Sequence, residues 1–489
     1  MSDAVRPAFA WNAAGHAIRQ GLTIALLMVQ ARLLSPADFG LLALALVAIG
    51  LGDLGAQVGM PAAIIHRRDL DPRHLSSAFW LCAATGVAFT LGLALAAPAI
   101  ARVFDEPRLA PVLAVSAVNV LIAAISAVPN ALRIRDLRFD VVMVQETTAL
   151  AVAGAVGTLL AWHGFGVWSL VAQTTVATAI ACGMSWRMTA WRPSSRFEWR
   201  AAGELARVAT PTLGTNLVHY ASRHVADILV GRFLGAAALG LYSRAFAIML
   251  VPLANVSAVL TRVLFPSLAR LGDDRARAAA LFLAVMRAAA MLIFPMMLGL
   301  FVTVDAFVLT VFGPKWTELI PLLRILVLVG MLQSIAALAG SLFLSQGRTD
   351  VHLRLSLVLA ANVVVAVVIG LRWGMLGVAA GCAAAATLNV VPVLWVGGRL
   401  VGLSLATMAR ALAPTLAVSL AMAALVWALG LAVPVGWPAP TRLALQVGVG
   451  VTTYVALLAA VQPSALREAW QWLAAAASGR AGADAARQV

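Results

Sequence analysis

The sequence predicts an all-α membrane protein that crosses the bilayer many times. Of its 489 residues, 62% are hydrophobic and only 11% are charged, against about 45–50% and 25% in soluble domains. The mean hydropathy is +0.94, and the apolar residues occur in runs that match the roughly 20 residues needed to cross the hydrocarbon core. This composition excludes a soluble globular protein, a disordered chain and a disulfide scaffold.

About fourteen apolar runs, separated by charged or Pro/Gly-rich turns, are the predicted spans. They cover residues 9–32, 38–60, 77–103, 108–131, 140–162, 165–187, 205–233, 237–265, 279–304, 318–346, 351–372, 375–398, 408–432 and 441–461. We group them into an N-lobe of six helices (9–190), a cytoplasmic interfacial linker (191–204), a C-lobe of six helices (205–400), two C-terminal helices (408–461) and a cytoplasmic tail (462–489).

The arginines predict the orientation of these spans. If the N-terminus is cytoplasmic, most of the 35 basic residues fall in cytoplasmic segments, as the positive-inside rule requires. Both termini are therefore predicted to be cytoplasmic. The first 30 residues or so lack the short apolar core and small-residue cleavage site of a signal peptide, so we expect the first span to remain in place. The outer loops are too short for an extracytoplasmic domain.

An internal repeat divides the spans into two sets of six. The segment ARLLSPADFGL from Ala31 matches GRFLGAAALGL from Gly231, and two further matches follow at nearly the same offset. Because six is an even number, the second copy enters the membrane in the same sense as the first, which predicts parallel lobes about an axis along the membrane normal. Such lobes are expected to flank a central cavity.

The linker region interleaves tryptophans with arginines in the segment WRMTAWRPSSRFEWR from Trp186. Aromatic rings beside basic groups are typical of the headgroup layer of an anionic cytoplasmic leaflet. Membrane lipids are therefore the expected contact of this segment. Nucleic acid is not expected, because no folded module would present these residues to it.

Two spans carry polar stripes at helical spacing. Ionisable residues at membrane depth are costly and usually face a bundle interior or a water-filled cavity, so we predict that these stripes line a substrate-binding central cavity. The predicted lining residues are Asn12, His16, Arg19 and Gln20 in the first span, Asn216, His219, Tyr220 and Arg223 in the seventh, and Arg244 in the eighth. The alternative is a set of hydrogen bonds that only hold helices together, including an Arg223–Asp227 pair.

Two acidic residues are candidates for ion coupling. Asp53 and Asp227 lie within spans, where each would either carry a proton or sodium ion or neutralise Arg19 and Arg223. We predict no catalytic residues, because the chain lacks an HExxH or phosphate-loop motif. No cofactor or metal is expected either, since the three cysteines lie in separate apolar runs.

Several segments together resemble the Wzx-type flippases, the polysaccharide transporter family of the multidrug/oligosaccharidyl-lipid/polysaccharide (MOP) exporter superfamily. They are ARLLSPADFGLLALA from Ala31, HLSSAFW from His74, GVWSLVAQ from Gly166, LGLYSRA from Leu239 and VFGPKW from Val311. The similarity runs from about residue 9 to residue 400. The family has no short catalytic signature, and the resemblance implies basic residues along the cavity, a role open here to Arg19, Arg223 and Arg244.

The resemblance implies a protein of the bacterial inner membrane that flips undecaprenyl-pyrophosphate-linked oligosaccharides by alternating access, for exopolysaccharide, capsule or O-antigen (lipopolysaccharide) biosynthesis. A polysaccharide polymerase and a chain-length regulator are candidate partners. The alternatives are a peptidoglycan lipid-precursor flippase and a cation-coupled exporter of the same superfamily. A membrane glycosyltransferase or polymerase is disfavoured, because it would ordinarily need large outer loops.

Overall fold

A computed structural model describes residues 5–67, 69–136, 139–272, 274–434 and 436–463, and within them every regular element is helical. Side chains are described from Arg19 onward, except at scattered positions such as His219. The helices are α1 Val5–Leu33, α2 Pro36–Gln57, α3 Met60–His66, α4 Pro72–Val103, α5 Leu109–Ser116, α6 Val118–Arg135, α7 Phe139–Trp162, α8 Val167–Met188, α9 Trp199–Leu271, α10 Arg275–Val311, α11 Leu319–Ser345, α12 Thr349–Gly370, α13 Gly374–Val401, α14 Leu405–Ala432 and α15 Ala439–Val461.

The predicted all-α, multi-pass class is confirmed. Eleven helical stretches in the described residues are long and apolar enough to cross a membrane, and the helices begin and end within a few residues of most of the predicted spans. The number of crossings and the N-in/C-in orientation stay predictions. The predicted tail from residue 462 lies almost wholly outside the described residues.

Local sequence explains where the helices begin. Ser35 caps α2 by accepting a hydrogen bond from the backbone N–H of Asp38, whose carboxylate accepts one from the Ser35 N–H in return, and Pro36 follows at the first helical position. Proline there costs nothing, because its missing N–H would be unpaired anyway. Gly235, which the repeat aligns with Ser35, breaks α9 with φ 85° and ψ 174°. Only glycine adopts that conformation readily.

The described chain divides into two compact units. One comprises Trp11–Gly240, and the other contains the chain from Leu241 onward together with the few residues before Trp11. Within the Trp11–Gly240 unit, Leu205 and Ala209 of α9 are buried against Met60, Ile64 and other apolar residues of α3, α4 and α6. The start of α9 therefore packs with the helices that precede it in sequence. The predicted lobe boundaries themselves stay a prediction.

The two best-matched segments of the repeat meet each other inside this unit. A Cβ atom placed on Gly40 would overlap the backbone carbonyl of Ala236, and a Cβ atom on Gly240 would overlap the carbonyl of Pro36. Because Pro36 and Ala236 are themselves repeat equivalents, the contact is reciprocal. Glycine at both positions lets the two helix backbones approach closely, as small residues do at helix crossings in membranes.

We expect Gly40→Ala to lower the stability of the purified protein by about 1–3 kcal/mol, because the added methyl group forces the crossing backbones apart. Gly92→Ala is the matched control: it lies within α4 with open space around its Cα, where alanine favours the helix. Thermal unfolding in detergent measures both variants. Equal unfolding temperatures for the two would contradict a tight crossing at Gly40.

Candidate functional site

Arg19 on α1 is the first residue of the first predicted stripe whose side chain the structure describes. Its guanidinium forms an ion pair with Glu146 of α7, and the two side chains are 35% and 51% exposed. Both residues lie in predicted spans, so the pair balances two charges that would otherwise be costly at that depth. A half-exposed carboxylate is also a partner that an incoming anion can replace on the guanidinium.

The second stripe centres on Tyr220 of α9, which lies against α2. Its hydroxyl donates to the Val47 backbone carbonyl at 3.0 Å, and a Cβ on Gly50 would overlap the tyrosine ring. The tyrosine ring also contacts the ring of His224, with centroids 4.3 Å apart and planes tilted by 41°. Gly50 therefore provides the space that lets the tyrosine reach the α2 backbone.

The two predicted ion-coupling residues have different surroundings. Asp227 accepts a hydrogen bond from the His224 ring at 2.8 Å, so its partner in the structure is the histidine rather than Arg223. Asp53 of α2 is half-buried, and its Oδ1 atom is buried without a hydrogen-bond partner among the described residues. Both carboxylates, Asp53 and Asp227, belong to the electrostatic environment of Tyr220.

The remaining predicted cavity residues are placed as follows. The side chains of Asn12, His16 and His219 lie outside the described residues, Gln20 is half-buried on α1, Asn216 and Arg223 are exposed on α9, and Arg244 is half-buried in the other unit. Arg19 and Gln20 are thus described on α1, and Asn216, Tyr220 and Arg223 on α9. Their joint role in one cavity stays a prediction.

Sequence reasoning missed a buried polar network around Arg133. Arg133 lies two residues beyond the predicted span 108–131, but it is only 5% exposed. Its guanidinium donates to the side-chain oxygens of Asn130 and Gln145, and to Ser185 Oγ at 2.9 Å. The signal in the sequence was the pair of amides near the ends of their predicted spans, since amides are costly there without partners.

A cavity of about 560 Å³ lies beside this network, between α2, α6, α7 and α8. Its wall is mostly alanine and other apolar side chains. The polar side chains that line it are Gln57, Ser126, Asn130, Glu146 and Thr178. Its size falls within the range of small-molecule sites in proteins, about 300–1,000 Å³.

The start of α9, which carries the second stripe, is held by Glu204. Its carboxylate accepts from Arg67 at 2.6 Å and from His74 Nε2 at 3.0 Å. His74 Nδ1 already accepts the Asp71 backbone N–H, so the ring proton is on Nε2 and donates to Glu204. The hydrogen bonds from His74 and Arg67 stabilise the ionised form and lower the pKa of Glu204 to about 2.

The predicted linker is fastened to α4 through its backbone. The Ser194 N–H donates to Ser76 Oγ at 3.1 Å, and Trp80 Nε1 donates to the Ser194 carbonyl at 2.8 Å. Trp186 and Trp191 stack on each other with ring centroids 6.1 Å apart. Trp199 is 79% exposed, which suits the predicted contact with lipid headgroups.

The fold and its intramembrane charges define a multi-pass membrane protein of the transporter type. The chain belongs to the family described as polysaccharide biosynthesis protein, whose model matches residues 29–321. A curated relative is the lipopolysaccharide biosynthesis protein WzxC of Escherichia coli (strain K12), which is 27% identical over 388 residues, or 78% of each chain. The resemblance to Wzx-type polysaccharide transporters is thereby confirmed.

Two solved structures share the fold. The lipid II flippase MurJ, in an inward closed conformation, matches with a TM-score of 0.74 at 13% identity, over 91% of this chain and 97% of MurJ. An inward-facing multidrug resistance MATE family transporter of the MOP superfamily matches with a TM-score of 0.61 at 15% identity, over 78% and 94% of the two chains. At these identities the likeness shows the fold alone.

We expect Glu204→Gln to destabilise the protein at pH 7 and to lose this effect in acid. The pKa of Glu204 is lowered on folding, so its ionised form stabilises the fold above the unfolded pKa of about 4.3, and that contribution disappears as the pH falls toward about 2. Thermal unfolding between pH 7 and pH 2.5 is the measurement. The gap between wild type and variant should shrink steadily below about pH 4.5.

The matched control is Glu198→Gln in the same region, because that carboxylate is half-exposed and 4.0 Å from Arg73. An exposed pair at that distance contributes little, so this variant should follow wild type at every pH. A Glu204→Gln gap that stays constant down to pH 2.5 would contradict the proposed anchoring by the ionised carboxylate.

Proposed function

We propose that the protein is a flippase of the bacterial inner membrane that moves undecaprenyl-pyrophosphate-linked oligosaccharides from the cytoplasmic to the periplasmic leaflet. The observation that carries this proposal is the Arg19–Glu146 ion pair at predicted membrane depth, in a chain of the polysaccharide biosynthesis family. Arginine keeps its charge and grips phosphate through two parallel hydrogen bonds. Such a group lowers the cost of bringing a pyrophosphate into the membrane.

Arg19 and Arg223 are the proposed pyrophosphate ligands, with Arg244 as a third candidate. Before substrate binds, Glu146 neutralises Arg19. A pyrophosphate carries more negative charge than one carboxylate and offers more acceptor oxygens, so it competes for the guanidinium. Arg223 is exposed on α9, which leaves it accessible to such a ligand.

The proposed transport cycle is alternating access by two parallel six-helix lobes with both termini in the cytoplasm, and no catalytic step is proposed. The lipid tail would stay in the hydrocarbon while the glycan crosses in a polar environment. A polysaccharide polymerase and a chain-length regulator are proposed partners, because the flipped repeat unit must be consumed on the far side of the membrane.

A peptidoglycan lipid-precursor flippase is the second candidate, because the fold is similar to that of the lipid II flippase MurJ. Both substrates are polyprenyl pyrophosphates, so the arginine site does not separate them. Family membership and the relative WzxC favour the polysaccharide substrate. A cation-coupled drug exporter is less favoured, because such a protein is expected to favour acidic residues over arginine in its cavity.

Asp53 and Asp227 are the proposed ion-coupling residues. Asp53 has a buried oxygen without a hydrogen-bond partner among the described residues, which leaves it able to take a proton or a sodium ion. Asp227 is paired with the ring of His224 at 2.8 Å. Either carboxylate could then link an ion gradient to the direction of transport.

We expect Arg19→Ala and Arg223→Ala each to slow leaflet transfer by about tenfold or more, because each removes a charge-assisted hydrogen bond to the pyrophosphate. The assay uses proteoliposomes with a fluorescent undecaprenyl-pyrophosphate oligosaccharide and a reagent that quenches the outer leaflet only. Arg277→Ala is the matched control: that arginine is exposed at the start of α10 beside Asp274.

Normal transfer by both arginine variants would contradict the site assignment but leave the flippase proposal intact. Failure of the wild type to transfer any polyprenyl-pyrophosphate glycan, with an imposed proton or sodium gradient of either direction, would refute the function itself. Circular dichroism and gel filtration establish that each variant is folded before its rate is interpreted.

Asp53→Asn should uncouple transfer from the ion gradient. The amide has nearly the same shape but cannot take up a charge-compensating ion, so we expect the rate measured with an imposed gradient to fall to the rate measured without one. Proteoliposomes with proton or sodium gradients test this. The control is Asn119→Ala, which removes a buried α6 amide that does not titrate, and its transfer rate should still respond to the gradient. If the transfer rate of Asp53→Asn responds to the gradient as wild type does, the coupling role of Asp53 is contradicted.

A further inference from the structure

The Arg133 network fixes the direction of an amide at the cavity wall. A guanidinium has only donors, so Asn130 and Gln145 must both turn their side-chain oxygens toward Arg133. Gln145 Nε2 then donates to the Ala181 carbonyl at 2.9 Å. Asn130 lines the cavity, and its amide N–H₂ is the part of the side chain that remains to face it.

The two hydroxyl groups on the wall, Ser126 and Thr178, already use their donors. Ser126 Oγ donates to backbone carbonyls one turn back in α6, at 2.9 and 3.0 Å, and Thr178 Oγ1 donates to the Thr174 carbonyl at 2.9 Å. The donors left toward the cavity are therefore the amides of Asn130 and Gln57, and the acceptors are the carboxylate of Glu146 and the oxygens of the two hydroxyl groups.

This set of groups selects the ligand chemistry. A sugar hydroxyl both donates and accepts, so it matches an amide donor beside a carboxylate acceptor. An anion is disfavoured by the Glu146 carboxylate, and a prenyl chain would leave the amides without partners. The alanine-rich remainder of the wall suits the C–H faces of a sugar ring.

The position of the cavity agrees with this choice. Glu146 lines the cavity and is also the partner of Arg19, the proposed pyrophosphate ligand. In the substrate the first sugar is bonded directly to the pyrophosphate. A pyrophosphate held by Arg19 therefore places that sugar next to Glu146, at the cavity.

We infer that this cavity is the binding site for the first sugar residue of the lipid-linked glycan, an uncharged polyhydroxyl ring, with Asn130 as donor and Glu146 as acceptor. Arg133 is a positioning residue: it does not line the cavity, but its hydrogen bond to the Asn130 side-chain oxygen orients the Asn130 amide N–H₂ toward the cavity. This inference rests on the proposed function and adds to it a site that recognises the sugar separately from the pyrophosphate.

The test compares the affinity of the full-length protein, in lipid nanodiscs, for lipids with and without a sugar. The probes are undecaprenyl pyrophosphate alone and the same lipid carrying one glucose, galactose or N-acetylglucosamine. We expect wild type to bind at least one glycosylated probe about tenfold more tightly than the bare lipid, through hydrogen bonds to a partly buried carboxylate and amide. Microscale thermophoresis measures each dissociation constant.

Asn130→Asp is the decisive variant. The new carboxylate still accepts from Arg133 and Ser185, so the network stays satisfied and the protein should fold, but the donor to the cavity is gone. We expect the sugar-dependent gain in affinity to vanish while the affinity for bare undecaprenyl pyrophosphate stays within about twofold of wild type. Arg133→Lys keeps the charge without the planar fork and should lose part of the gain with the same unchanged bare-lipid affinity.

Thr174→Val is the matched control, because it removes a hydroxyl from α8 that donates to the Val171 carbonyl and does not line the cavity. It should keep the full gain. The sugar site is overturned if Asn130→Asp keeps the sugar-dependent gain in affinity, or if wild type shows no such gain with any of the three sugars. If wild type still binds bare undecaprenyl pyrophosphate in either case, the flippase proposal stands. Absence of bare-lipid binding in wild type overturns the proposed function, and the sugar site with it.

Discussion

Hydrocarbon offers no hydrogen-bond partner to a polar group, and the unit from Trp11 to Gly240 is arranged around this constraint. Arg133 is surrounded by two amides and a serine hydroxyl, Arg19 is paired with Glu146, and Tyr220 reaches a backbone carbonyl of α2. In each case a side chain of one helix is satisfied by a residue of another. The same contacts that remove the cost of burial therefore also fix which helices are neighbours.

The two arginines differ in how firmly they are held. The hydrogen-bond partners described for Arg133 are neutral, no carboxylate is among them, and two of them, Gln145 and Ser185, are buried with it. The dipoles of these amide and hydroxyl groups therefore solvate its charge. Arg19 has an anionic partner that is half-exposed, so its charge is available for exchange. One arginine organises the scaffold, and the other is suited to ligand binding.

The sequence was sufficient for the features that depend on composition and periodicity. Span limits followed from apolar runs, including the break at Gly235 between the predicted spans 205–233 and 237–265. It was insufficient where a partner comes from a distant part of the chain. Nothing near Arg133 in sequence predicts Ser185 as its partner. In the same way, the sequence around Glu204 does not indicate that Arg67 and His74 donate hydrogen bonds to its carboxylate. These contacts are set by tertiary packing, which a hydropathy pattern does not specify.

The reciprocal contact at Gly40 and Gly240 has the form of an isologous interface, in which one surface patch binds its own copy: Pro36 faces Gly240 as Ala236 faces Gly40. A half-length ancestor with an even number of spans would have been able to dimerise through this patch, with both subunits inserted in the same orientation. Fusion of two such copies into one chain would preserve the contact and would allow the two halves to differ in sequence. The polar side chains of α1 and α9 differ from each other, which is possible because the contact between the two halves requires only that both glycines are kept.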